Sequence, residues 1–394
     1  MSYQDKLKRN IILFRVSRFF ISLLFFMPVW YAFERTFASA ETLAFIYGAT
    51  HLVSVFLELP TGALADLIGR KRVVILGLLI HGGSFILLSQ AQNVSWIWIG
   101  YILCQIGNTF ISGADSALFY DTLKELKKES QFTLIANQNE LIYRVGLMLA
   151  SIVGGYIFLS YFRLPYFLVG MMNIVASLIT LYMVEPHIDS EKFTFINYIK
   201  QTKLGFAQLW KTPFIRDLSL YYISISGVTW YYLYYLLNAF TTDVGFLPIE
   251  RGWLSAINSL LVAGLGILIA KYKLFSRKTT FLFFPIALLL GFFAAPFIPK
   301  PYAAIPIFII YLASIFRWTY LDKYTNEEFE SKYRATAISA LSMSTSIIYF
   351  ILSFALIPIL VRYGNSWVMF SLGIIVLITA VPTTIVLLKK HKGR

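Results

Sequence analysis

Seven ionisable side chains stand inside long apolar stretches of the chain: Arg15, Arg18, Glu58, Asp115, Glu140, Arg144 and Arg317. A charge kept from water costs several kcal/mol unless it is paired or hydrated, so each is a candidate for function. An arginine can reach a polar boundary along its own stem, which is the plainer account of Arg15. A short carboxylate cannot. A carboxyl group held away from water keeps its proton more tightly and can load and release it near neutral pH. Glu58 and Asp115 are the acids best placed for such proton carriage, and Glu140 is a third. Arg18 and Arg317 are charge partners able to bias them. Glu140 and Arg144 are spaced i, i+4, which favours a structural ion pair.

A second set is Trp230-Tyr231-Tyr232-Leu233-Tyr234-Tyr235, followed by Asn238. On an α-helix Tyr231, Tyr234, Tyr235 and Asn238 share one face. At the end of a membrane span such residues form an interfacial belt. Around a cavity they would stack on amphipathic or cationic aromatic solutes. Other chemistries lack their residues. Cys104 is the single cysteine and only four histidines occur, so neither a disulfide nor a metal centre is expected. Gly-x-x-x-x-Gly-Lys-Ser/Thr, His-Glu-x-x-His and Gly-x-Ser-x-Gly strings are missing, and no Rossmann fingerprint follows a strand. Neither an enzyme nor a bound cofactor is expected.

The elements that must hold these side chains are membrane helices. Of 394 residues 58% are hydrophobic, 17% aromatic and only 14% charged. That much apolar surface cannot be hidden in a water-soluble globule of this length. Stretches long enough to cross a bilayer number twelve: 11–33, 42–62, 73–92, 94–119, 132–159, 165–184, 214–240, 251–270, 279–298, 302–321, 334–361 and 366–388. By helical rise Asp115 lies about 9 Å from Asp121, and Glu58 about 12 Å from Asp66, so both acids fall in one half of the membrane.

The net charge of +14 reads as topology rather than as a nucleic-acid surface. With the N-terminus inside, the inner segments hold 24 basic residues and the outer ones 5. Both termini are therefore expected in the cytoplasm. Basic residues before the first stretch and Ala38-Ser39-Ala40 after it imitate a secretory signal. The run is too long for one, and it contains Arg15 and Arg18. The loop 185–213 separates six spans from six, giving bundles at 1–184 and 214–394. Within it Phe193 to Trp210 suits an amphipathic helix on the membrane surface. Ser314 to Asp322 echoes Gly113 to Asp121 at the end of span four, and such internal symmetry suggests a duplicated transporter.

One loop is more specific. Between spans two and three the chain reads Gly62-Ala-Leu64-Ala-Asp66-Leu-Ile-Gly69-Arg70-Lys71-Arg72. This resembles the loop signature of the major facilitator superfamily, Gly-x-Leu-x-Asp-x-x-Gly-Arg-Lys/Arg-Lys/Arg. The resemblance implies two pseudo-symmetric six-helix bundles, an all-α membrane fold, and a conformational switch built on Gly62, Asp66, Gly69, Arg70 and Lys71. Arg70 would then bridge Asp66 to an acid at the inner end of span four, here Asp121. Span five, with Gly146, Ala150, Gly154 and Gly155, is similar to the antiporter signature of drug–proton exchangers in that superfamily. Ala150-Ser151 stands where that signature usually has Gly-Pro, and small residues at this spacing also serve plain helix packing. The expected protein is a monomeric exporter of small amphipathic molecules in an inner membrane, driven by protons through rocker-switch alternating access, with lipid around it. An importer, a lipid or siderophore exporter, and a transport-inactive receptor or assembly factor are the rivals.

Overall fold

An apolar run inside lipid must satisfy its own backbone hydrogen bonds, and a helix does so within one segment. The computed structural model describes residues 2–187, 195–330 and 334–391, with the side chains of 58–67, 133, 195–198, 201, 335 and 391 outside that description. Among the described residues there are helices and no strand. Ten helices among the described residues are long and apolar enough to cross a membrane. They carry spans two to six and eight to twelve, so the all-helical membrane fold read from the sequence is borne out.

Spans one and seven are also helical, but each departs from a regular apolar rod. Span one begins as the helix Tyr3–Ser22, leaves helical geometry over 23–29, and resumes as Trp30–Glu34. Lys6, Lys8 and Arg9 fill its first turns, so the helix starts well before the apolar run. Span seven is Pro213–Tyr231, then a π turn at Tyr232–Leu236, then Leu237–Asp243. Its tyrosines dilute its hydropathy, yet several are buried. Tyr221 donates to the Phe281 carbonyl at 3.0 Å and Tyr232 to the Ile307 carbonyl at 3.1 Å. A buried phenol is tolerable when its hydroxyl is matched in this way. Span ten holds a second π turn, Arg317–Leu321. Span eleven breaks at Leu356, so the single stretch 334–361 becomes Arg334–Ala355 and Ile357–Tyr363.

Helix starts follow capping chemistry. Thr212 accepts from the Ile215 amide at 3.2 Å with Pro213 next, and Ser276 accepts from the Thr279 amide at 3.2 Å. Within the loop 185–213 the helix is Phe195–Leu209; Phe193 lies outside the described residues. Contacts define two compact units. One comprises Met1–Ala38, Ala49–Phe195 and Leu247–Ala256; the other comprises Ser39–Gly48, Ile196–Phe246 and Ile257–Arg394. The first unit packs spans three, four and six around Val73, Val74, Leu78, Ile111, Ala114 and Ala176.

Candidate functional site

The charged loop before span three is held by side chains from three elements of the first unit. Gly69, at φ +96°, ends span two and opens the helix Arg70–Ser89; only glycine takes that conformation freely. The turn aims the first amides of the helix at Glu185, whose carboxylate accepts from Arg70 N at 2.8 Å and Lys71 N at 2.9 Å. An anion is favoured there by the helix dipole and the unpaired amides. The Arg70 guanidinium pairs with Asp121 and also donates to the Ala117 carbonyl at 3.3 Å. Glu58, Gly62 and Asp66 lie on the helix Ala40–Ile68, and their side chains are outside the described residues.

A second cluster lies deeper in the same unit. Arg18 on span one and Asp115 on span four form an ion pair, with Asp115 5% exposed. The Asp115 Oδ2 atom in that pair has no well-aligned hydrogen-bond donor, so the contact is chiefly one of charge. A cavity of about 260 Å³ is lined by this pair together with Glu140, Tyr143, His81 and Asn173, among others. Spans one, three, four, five and six thus each supply a polar group to one space. Glu140 accepts from Arg144 Nε at 2.8 Å across one turn, and both side chains are exposed. His81 Nδ1 lies 3.1 Å from Asn173 Oδ1, an atom that only accepts, so the ring proton sits on Nδ1. This arrangement can hold a cation, take up a proton at Asp115 in exchange for Arg18, and bind a polar solute.

Span five lies against the irregular part of span one. A Cβ on Gly146 would collide with the Ser22 side chain, one on Gly154 with the Phe25 carbonyl, and one on Gly155 with the Pro248 carbonyl; Ala150 is fully buried. The small residues therefore let backbone approach backbone where the chain of span one leaves the helix. Gly154→Ala should lower stability by about 1–3 kcal/mol, because the Phe25 carbonyl cannot swing aside as a side chain can. Its unfolding midpoint in detergent should fall while that of Gly113→Ala, with open space around it, does not. Equal midpoints would refute the close approach.

In the second unit the four cavity candidates separate. Tyr231 and Tyr235 are buried with ring centroids 5.6 Å apart, and Tyr234 is 48% exposed. Tyr235 donates to the Ala40 carbonyl at 2.9 Å, and Asn238 is half-buried. The π turn inserts a residue between the helix before it and the helix after it, so a face drawn at regular helical spacing does not continue through Tyr232–Leu236. Arg317 lies in this unit, bonded to Tyr222 at 3.2 Å and Ser226 at 3.0 Å. Asp115 and Glu140 belong to the first unit.

Two acids went unnoticed as site residues. Glu185 reads as a loop charge in the sequence, because its partners are backbone amides that no pattern marks. Glu34 is fully buried and accepts from Tyr101 and Tyr166 hydroxyls, each at 2.5 Å. It follows directly on an apolar run, where an acid facing water looks the same.

Irregular helices that enclose paired charges, in a chain of membrane spans, define a polytopic membrane transporter. The family model of the Major Facilitator Superfamily matches residues 11–320. The chain belongs to that superfamily, whose members are transporters of small molecules. It is 22% identical to multidrug resistance protein 2 of Bacillus subtilis over 275 residues, 66% of either chain. It is 24% identical to the class B tetracycline resistance protein of Escherichia coli over 301 residues, 72% of this chain and 71% of that one. Its fold is similar to that of the nucleoside transporter NupG, with a TM-score of 0.75 at 14% identity, covering 95% of this chain and 98% of the other.

Proposed function

We propose that the chain is a proton-coupled exporter of small amphipathic molecules, working by alternating access as a monomer in a bacterial inner membrane. The observation that carries this reading is the cavity that gathers Arg18, Asp115 and Glu140. A carboxyl group that binds either a guanidinium or a proton is the element that antiport requires, since the two occupants exclude each other. The names of the Bacillus subtilis and Escherichia coli relatives, resistance proteins for several drugs and for tetracycline, support the export direction and the amphipathic class. Span five supports it by its likeness to the exchanger signature.

Inverted vesicles carrying the protein should accumulate an amphipathic dye when their interior is acidified and release it when the pH gradient is collapsed. Accumulation that depends on an interior made alkaline would instead describe a proton symporter that imports. Accumulation independent of pH would remove the proton from the reading.

Both termini are proposed to be cytoplasmic, on the excess of Lys and Arg in the inner loops. In a Cys104→Ala background, Tyr302→Cys should react with an impermeant maleimide added to intact cells, and Lys278→Cys only after permeabilisation. Both positions are exposed. The opposite labelling pattern would invert the topology.

A further inference from the structure

The mechanism above uses the charges of the first unit and leaves Arg317 without a task. Arg317 heads the π turn of span ten and is 1% exposed. One terminal nitrogen, Nη1, donates to the hydroxyls of Tyr222 and Ser226 on span seven. The other edge of the guanidinium, Nε with Nη2, is buried and has no hydrogen-bond partner. No carboxylate among the described residues is in ion-pair contact with it; Asp322 acts on it only through space. The Trp318 ring lies over the guanidinium, centroid 4.0 Å from Cζ, and the Trp230 ring stands 5.9 Å away. The two indoles stack at 6.0 Å with 26° between planes.

Nε–H and Nη2–H point the same way, and together they are the fork that takes the two oxygens of a carboxylate. A buried guanidinium with that edge empty is costly, whereas an incoming carboxylate would match both its geometry and its charge. Trp318 is 44% exposed, so it covers the fork on one face and meets the exterior with the other.

We propose that Arg317 is the anchor for the carboxylate of an aromatic organic anion, whose ring stacks on Trp318 and Trp230. The inference rests on the transporter reading and narrows its substrate class; it needs neither proton coupling nor a direction of transport. A phosphate ester presents the same pair of oxygens, but its second charge raises the cost of leaving water, so the apolar walls favour the carboxylate.

Equilibrium dialysis of the purified full-length protein tests this without any gradient. The probes are 2-naphthoate, its neutral analogue 2-naphthalenemethanol and 2-naphthyl phosphate. The native protein should bind the naphthoate about ten-fold or more tighter than the alcohol. Arg317→Lys, which keeps the charge and loses the fork, should abolish that preference with little change for the alcohol. Trp318→Leu should weaken both. Equal affinity for acid and alcohol in the native protein would overturn the proposal, as would a preference that survives Arg317→Lys. Tighter binding of the phosphate than of the naphthoate would overturn the carboxylate assignment. Should Arg317→Lys fail to fold, the comparison of acid with alcohol in the native protein still decides. A failure of proton-driven efflux leaves this measurement untouched, so the two readings fall separately.

Discussion

Asp115→Asn should hold the substrate gradient at unity in vesicles where the native protein builds about ten-fold per pH unit. The magnitude is thermodynamic. One pH unit is worth about 1.4 kcal/mol, which in one-for-one exchange sustains a ten-fold concentration ratio. Asparagine keeps the size of Asp115 and can still donate to its surroundings, but it cannot be ionised, so Arg18 loses its alternating partner. Downhill exchange and substrate binding should persist, because neither consumes the proton. Glu58→Gln should behave in the same way if that acid shares the task. Full accumulation by both variants would move proton carriage to Glu140 or remove it. Arg18→Ala is the complementary case. It strands a buried carboxylate, and either the protein loses stability or Asp115 stays protonated, which again stops coupling.

Arg70→Ala should cut transport by one to three orders of magnitude while the protein still inserts. Removing one partner of a shielded, hydrogen-bonded charge pair costs about 2–5 kcal/mol, largely because the other charge is left behind. Here that charge is Asp121, 14% exposed at the side chain. A penalty of that size, felt in only one conformer, redistributes the conformers by the same factor. The double variant Arg70→Ala/Asp121→Ala should be milder than the two singles combined, by an interaction energy of about 0.5–3 kcal/mol. Strict additivity of transport rates would mean that the pair seen between the two side chains does no shared task. Glu185→Gln offers an internal comparison. It keeps an acceptor for one of the Arg70 and Lys71 amides, loses the other acceptor together with the charge, and leaves the Arg70–Asp121 pair in place, so its effect should be smaller.

What the sequence reveals follows from how each feature is encoded. Ten of the membrane helices are legible because an apolar run of sufficient length has no other fate in lipid. The Arg70–Asp121 pair is legible through resemblance: the loop's likeness to the superfamily signature implies an arginine there that pairs with an acid at the end of span four, and the structure holds that pair. Glu140–Arg144 is legible because both partners sit on one helix. Glu34 with Tyr101 and Tyr166 is not, since it joins three spans whose relative height no local pattern records. The same holds for His81 with Asn173. The helical interruption over 23–29 leaves no mark stronger than Pro28, because the glycines that accommodate it, Gly146 and Gly154, come from span five. Arg317 was visible as a charge at membrane depth. Its company of hydroxyls and indoles, instead of acids, depends on how span ten lies against span seven.

A π turn stores one residue more than the α-helix around it requires. Such a residue is an insertion that the fold has absorbed without changing the helix ends, and its loss would turn everything beyond it by about 100°. Spans seven and ten should therefore tolerate a one-residue deletion at Tyr232–Leu236 or Arg317–Leu321 in some branches of the family. The side chains presented past the turn would then be exchanged as a set, so a single indel in either helix would remodel a whole face at one stroke, where point substitutions would need several steps.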